Sequence, residues 1–171
     1  MEKLKILTYP DPFLKQKAQQ VTKFDDSLKE LAQAMAAAMY DNTGIGLAAP
    51  QVGHGLRLFV ADVDFHGEDS GPKNPIAYCN PVIKNGQGRG MNEEGCLSVP
   101  EYRAEVERFE RLTLEYQDLD GNQHSLEAEG LLAICIQHET DHLEGKLFID
   151  YLPPLKRKMV QNRLKKLARE A

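Results

Sequence analysis

The sequence predicts an α+β domain. Three observations carry that reading. An alanine-rich stretch with helical spacing lies near the N-terminus, strand-like segments fill the middle, and two further helical patterns close the chain. Helices and strands are segregated rather than alternating, so βαβ units and a parallel sheet are not expected. A length of 171 residues suits one domain over residues 1–171.

The first helix is expected in "SLKELAQAMAAAMYDNTG", residues 27–44. Ser27 and Glu30 have capping-box spacing, and Leu31, Met35 and Met39 recur on one helical face. Asn42 to Gly44 stop it, and the loop "GIGLAAPQVGHG" follows. "LRLFVADV" (56–63) is apolar and β-branched enough for a buried strand. "IAYCNPVI" (76–83) is a second strand, with Pro81 at an edge or bend because proline gives no N–H to a ladder. "RLTLEYQDLDGNQHSLEAEG" (111–130) reads as a hairpin. Leu112, Leu114 and Tyr116 alternate with polar neighbours, and Asp120-Gly121 supplies the turn. "LLAICIQHETDHLEG" (131–145) is the second helix, closed by Gly145. "PPLKRKMVQNRLKKLAREA" (153–171) is the third, opened by prolines.

Composition narrows the class. Hydrophobic residues are 42% and charged residues 27%, which suits a folded soluble chain rather than a disordered one. No run approaches the roughly 20 apolar residues of a membrane span. Pro10, Asp11 and Pro12 interrupt the N-terminal apolar run, so no secretory signal is read and a cytoplasmic location is expected. Cys79, Cys96 and Cys135 are odd in number and widely spaced, which argues against a disulfide framework. The net charge is −5, distributed unevenly. Seven basic residues and Glu170 give residues 155–171 a charge of +6, which leaves −11 on the rest. A basic tail on an acidic body points to a polyanionic partner, against the plainer reading of a solvated helix face. Val160, Leu164 and Leu167 form a stripe on that helix for the body or a partner.

The stretch "QHETDHLEG" carries the chemistry. His138 and His142 stand four apart, so on a helix they share a face and can meet one cation. Glu139 lies one step round, placed as a general base in the H-E-x-x-H pattern. The plainer reading is two surface histidines. A catalytic metal needs a third protein ligand and an open position. Cys135 is too far along the helix axis, about 7.5 Å from the level midway between the histidines. Cys96, on a glycine-flanked loop, is a better distant ligand than Cys79 inside a strand, an argument that does not decide by itself. Asp141 either orients a ligand or caps the helix. His54, His66 and His124 are read as surface residues.

"GIGLAAPQ" (44–51), "EGCLS" (94–98) and "QHETDHLEG" (137–145) together resemble, in order, the three signature motifs of the peptide deformylases. With the N-terminal helix and the basic C-terminal helix, the resemblance covers nearly the whole chain. It implies antiparallel sheets around a central metal-binding helix. It also implies removal of the formyl group from N-formyl-methionyl nascent peptides, with release of formate.

By the same resemblance, Cys96, His138 and His142 bind one divalent ion. Fe(II) is the expected native metal, with Zn(II), Ni(II) or Co(II) able to substitute. The implied catalytic groups are Glu139 as base, with the Gln51 amide and the backbone N–H of Leu97 as oxyanion donors. Gly44, Ile45 and Gly46 would receive the peptide as an added strand, beside Glu94 and Gly95. Leu131, Ile134 and Cys135 would accept the methionine side chain, although each also suits ordinary core. Arg103 is expected to flank the entrance, and Asn92 to stand in the pocket wall. The ribosome, through ribosomal RNA and the basic helix, is an expected partner; a membrane is not, and a monomer is expected.

Two rival classes remain open on sequence grounds. One is another H-E-x-x-H hydrolase, whose third ligand is a glutamate or histidine downstream; Glu144 is two residues past His142 and points elsewhere on the helix. The other is a non-enzymatic RNA- or ribosome-binding module using the basic tail. The presence of Glu139 and Gln51 argues against it.

Overall fold

A computed structural model describes residues 3–65, 67 and 71–170. Helix α1 spans Asp26–Asp41, and strands β1 and β2 are Gly46–Ala48 and Leu58–Ala61. Strand β3 runs Ile76–Cys96, β4 Val99–Gln117 and β5 Gln123–Glu129. Helix α2 is Gly130–Leu143 and helix α3 Pro154–Glu170. The strands form one sheet in the order β1-β2-β3-β4-β5, antiparallel throughout. The α+β expectation therefore holds, with one continuous sheet in place of several. Register shifts at Cys79/Val82, Lys84/Gln87 and Gly95/Cys96 bend β3 and let one sheet enclose α2.

Several expectations are corrected in detail. The N-cap of α1 is Asp25, not Ser27; its carboxylate accepts from the Leu28 N–H at 3.1 Å. An anionic oxygen suits the positive end of the helix, and Ser27 lies inside the first turn. The second strand was expected to end at Ile83 but continues to Cys96. Residues 84–96 lack alternating apolar residues because both of their faces are largely wet there. The segment is held by pairing with β4, from Arg89↔Phe109 to Gly95↔Arg103. Pro81 sits at a register shift, as its missing N–H requires. The hairpin forms around Asp120-Gly121, pairing Gln117 with Gln123.

Three packed groups make the core. The first joins α1 to β1 and β2 through Met35, Met39, Leu47 and Leu58. The second seats α2 against the sheet through Ala133, Ile136, Phe59 and Leu114. The third docks α3 through Val160 and Leu164 onto Tyr9, Val106, Phe148 and Ile149, with Leu167 packed beside them. The apolar stripe of the tail thus covers the body. Gly145 follows α2 at φ 77°, and a Cβ there would overlap the Lys15 carbonyl. Glycine is required both by the backbone conformation and by this close approach. Among the described residues, no helix is long and apolar enough to cross a membrane.

Docking of α3 rests on few residues, so truncation should separate them cleanly. Leu164 is 1% exposed and Leu155 is 76% exposed. Leu164→Ala is expected to lower stability by about 2–5 kcal/mol, through lost burial and a residual cavity. Leu155→Ala should stay within about 0.5 kcal/mol of wild type. Urea unfolding of both variants checks the contrast.

Candidate metal centre and cleft

Helix α2 carries its functional groups inside the molecule. Cys96 Sγ, His138 and His142 offer three ligand atoms within 4.8 Å of one another. The Nε2 atoms of the two histidines are 3.3 Å apart, and Cys96 Sγ is 3.4 Å from His142 Nε2. The α2 periodicity supplies the histidines, while the β3 terminus brings the cysteine to them. Thiolate and imidazole are soft and borderline donors of the kind that bind first-row transition metals. Three such donors at this separation fit one divalent cation with room for a further ligand. Cys135 and Cys79 lie outside the cluster.

Glu139 is 4% exposed, and its Oε1 has no hydrogen-bond partner among the described residues. Burial raises its pKa to about 7; the charges of Glu94 and Asp141 push the same way, against His138 and Arg108. Such a carboxylate is poised to exchange protons near neutral pH. Burial would depress His138, but Glu139, Cys96 and Glu94 outweigh it and raise its pKa. Burial lowers that of His142, helped by the positive His138 and Arg108.

A cleft of about 760 Å³ opens beside these groups. Gly44, Ile45, Gly46, Gln51, Glu94, Gly95, Leu97, Arg103, Leu131, Ile134 and Cys135 all line it, with Cys96, His138 and Glu139. His142 and Asn92 are the expected residues absent from its wall, and His142 is 1% exposed. Leu131 is 47% exposed at the cleft, which removes the core reading for that residue. A Cβ on Gly46 would stand 2.7 Å from Glu139 Oε2 and 2.8 Å from Cys135 Sγ. Only glycine lets β1 pass this close to the carboxylate. Asn92 does not line the cleft; its amide donates to the Gly90 carbonyl at 3.2 Å.

Gln51 is 2% exposed and points its Nε2 at Cys96 Sγ (3.5 Å) and Ser98 Oγ (3.1 Å). Its Oε1 accepts from the Ala48 N–H at 3.0 Å, which fixes which end of the amide faces the cleft. Glu94 has both oxygens engaged. Arg108 donates to them at 2.7 and 2.8 Å, and His138 Nδ1 lies 2.9 Å from Oε1. Burial works against this carboxylate, but hydrogen bonds from Arg108 and His138 outweigh it and hold its pKa at about 2. Glu144 pairs with Arg57 at 2.8 Å, away from the ligand cluster. His54 is exposed, and the partly exposed His124 pairs with Asp118 at 2.7 Å. His66 and Ala171 lie outside the described residues.

Comparison with known proteins agrees with this geometry. The family model for polypeptide deformylase matches residues 3–158. The chain belongs to the polypeptide deformylase family. It is 48% identical to the peptide deformylase of Rhizobium meliloti over 96% of this chain and 93% of the relative. It is 46% identical to that of Alkalilimnicola ehrlichii over 98% of this chain and 92% of the relative. The crystal structure of a peptide deformylase from Legionella pneumophila superposes with a TM-score of 0.89 at 45% identity. That match covers 98% of this chain and 96% of the other. The cysteine and two histidines are therefore the metal-binding site of a deformylase-family hydrolase.

Sequence reasoning missed Arg108, Ser98 and Tyr151. Arg108 is 3% exposed and sits in a strand whose neighbours, Glu107 and Glu110, look solvent-facing. Its only signal was an arginine beside the buried Val106, at a position where charge is unusual.

The Glu94–Arg108 pair makes a pH-dependent contribution of known sign. Glu94 is held below the ordinary carboxylate pKa of about 4.3, so its stabilisation is complete above that pH. It declines as pH falls toward its folded value of about 2. Glu94→Gln should be less stable than wild type at about pH 6 and lose less on going to about pH 3. Denaturant midpoints at the two pH values, compared between the proteins, test this; parallel losses would contradict it.

Proposed function

We propose that this chain hydrolyses the formyl group from N-formyl-methionyl nascent peptides, with Glu139 as the proton-transfer group and Fe(II) as the native metal. Zn(II), Ni(II) or Co(II) substitute. The observation that carries this reading is the buried Glu139 carboxylate, its Oε1 without a partner, beside the Cys96, His138 and His142 cluster. A divalent cation held by those three residues supplies a Lewis acid that lowers the pKa of water toward neutrality.

Glu139 takes a proton from the attacking water and delivers it to the departing amine nitrogen. Water adds to the formyl carbon, the C–N bond breaks, and formate and a free amine leave. Negative charge develops on the formyl oxygen. Gln51 Nε2 and the backbone N–H of Leu97 receive it; losing one such donor costs about 2.7–4 kcal/mol of transition-state stabilisation. Strand β1 is an edge of the sheet, so Gly46 and the segment Gly44 and Ile45 leading into it can receive an extended peptide alongside, through the backbone groups not already bonded to Met39 and Asp62. Leu131, Ile134 and Cys135 form the slot for the methionine side chain, while Gly95 and Arg103 border the peptide's path. Glu94 acts from the cleft wall by holding His138.

The proposed setting is the cytoplasm, with the chain working as a monomeric catalytic domain on peptides leaving the ribosome. Lys156, Lys158, Arg163, Lys165, Lys166 and Arg169 are exposed on α3 while its apolar stripe is occupied by the body. That division leaves a basic outer face free for ribosomal RNA phosphates.

Three measurements test these assignments. Glu139→Gln should retain stoichiometric metal and lose about 10²–10⁴-fold in turnover, because the carboxylate moves protons without ligating. Cys96→Ser should lose metal while Cys79→Ser and Cys135→Ser retain it. Metal analysis with a formyl-methionyl peptide assay reads both; turnover within a few-fold of wild type for Glu139→Gln would move the base elsewhere. Neutralising Lys156, Lys158, Lys165 and Lys166 should abolish salt-sensitive co-sedimentation with ribosomes and leave short-peptide turnover intact.

A further inference from the structure

We propose that Asp141 and Tyr151 are positioning residues for the metal centre, acting through Arg108 and Glu94 on His138. The inference rests on the metal-dependent reading above and extends it to two residues outside the cleft wall.

The connection is continuous. Tyr151 Oη donates to Asp141 Oδ2 at 2.9 Å. Arg108 donates from Nη1 to the same oxygen at 2.7 Å. The other side of the guanidinium holds both Glu94 oxygens, and Glu94 Oε1 meets His138 Nδ1. The Tyr151 ring also lies under the guanidinium, 5.2 Å from its carbon to the ring centroid. Arg108 is thereby fixed at three hydrogen-bonding points and one face. With Nδ1 committed to Glu94, His138 must present Nε2 to the ligand cluster.

Charge makes Asp141 more than a brace. Arg108 and Glu94 side chains are 4% and 5% exposed, and Asp141 is 19% exposed. Arg108 neutralises only one of the two carboxylates, so the triad carries one net negative charge in a poorly solvated place. Asp141 supplies that excess. A divalent cation bound by one thiolate and two neutral imidazoles would carry one net positive charge, and the triad adjoins the ligand His138 through Glu94. Asp141 also lies one turn from His138 on α2, so the same helix carries the ligand and its compensating charge.

Tyr151 occupies the far end. It is 49% exposed and floors a second cavity of about 480 Å³, shared with Arg108, Gln137, Phe109 and Asp141. This cavity is separate from the peptide cleft, so Tyr151 is remote from substrate.

The test is metal affinity by chelator competition and the absorption spectrum of the cobalt-loaded protein. Asp141→Asn keeps size but removes the charge, and should weaken metal binding by about 10–100-fold. Asp141→Glu should restore part of the loss. Tyr151→Phe keeps the ring and loses the hydroxyl; it should weaken binding by a smaller factor and shift the cobalt bands. His124→Gln serves as the remote control and should change neither. A role confined to stability would lower denaturation midpoints while leaving affinity and spectrum unchanged, and that result in folded Asp141→Asn overturns the proposal. Should Asp141→Asn fail to fold, Tyr151→Phe decides. Wild-type affinity together with an unshifted spectrum in that variant is equally fatal.

Discussion

Arg108 is the point through which the site is assembled. It stands on β4, holds Glu94 of β3 with two bonds, and reaches Asp141 of α2 with a third. A buried arginine is tolerable only where its donors are matched, and leaving a buried partner unpaired typically costs about 3–5 kcal/mol. That penalty fixes geometry as well as stability. A one-residue slip of β3 against β4 would turn Glu94 to the opposite face and strand the guanidinium. The observed pairing of Glu94 with Ala104 and Asn92 with Val106 keeps Glu94 and Arg108 on one side. Cys96 follows Glu94 by two residues on the same strand, beyond a register shift at Gly95/Cys96 where β3 turns into β4.

Closeness at Gly46 sets the second condition. Strand β1 passes so near α2 that a side chain there would meet Glu139 and Cys135. The contact strips water from Glu139, and burial is the largest cause of its raised pKa. The close approach of this sheet edge to α2 therefore also raises the pKa of the carboxylate. Gln51 joins the two elements. Its side chain is held by the Ala48 N–H at the end of β1 and directed toward Cys96 at the end of β3 and Ser98 in the turn after it.

Much of this was legible in the chain. Helical spacing placed His138, Glu139 and His142 together, and the rise per residue excluded Cys135 as a ligand. The alternation at Leu112, Leu114 and Tyr116 gave the hairpin, because one of its faces is buried. Residues 84–96 were not legible as strand. Glycine and charge replace alternation there, since the segment is stabilised by its partner strand and by Arg108 rather than by an apolar face. Arg108 itself was hidden for the same reason. A single arginine among exposed glutamates carries no local sign that its partners lie 14 and 33 residues away. Ser27 misled because its spacing to Glu30 fits a capping box, while Asp25 is better placed to receive the Leu28 N–H.

Helix α2 shows why the motif has its particular polar residues. It is buried on much of its circumference, including Ala133, Cys135, Ile136, Gln137, Glu139, His142 and Leu143. A polar group in such a helix destabilises the fold unless it is paired. Gln137 is paired: its amide accepts from the Phe109 N–H and donates to the Phe109 carbonyl, each at 2.9 Å, so it closes the ladder of β4. His138 is met by Glu94, and Asp141 by Arg108 and Tyr151. Among the buried side-chain atoms described, Glu139 Oε1, Thr140 Oγ1 and His142 Nδ1 lack partners. His142 turns Nε2 toward Cys96 and His138, so its unpaired Nδ1 is on the other side of the ring. Glu139 is the one of these residues that borders the cleft, and the surrounding network of matched pairs stabilises the helix that carries it.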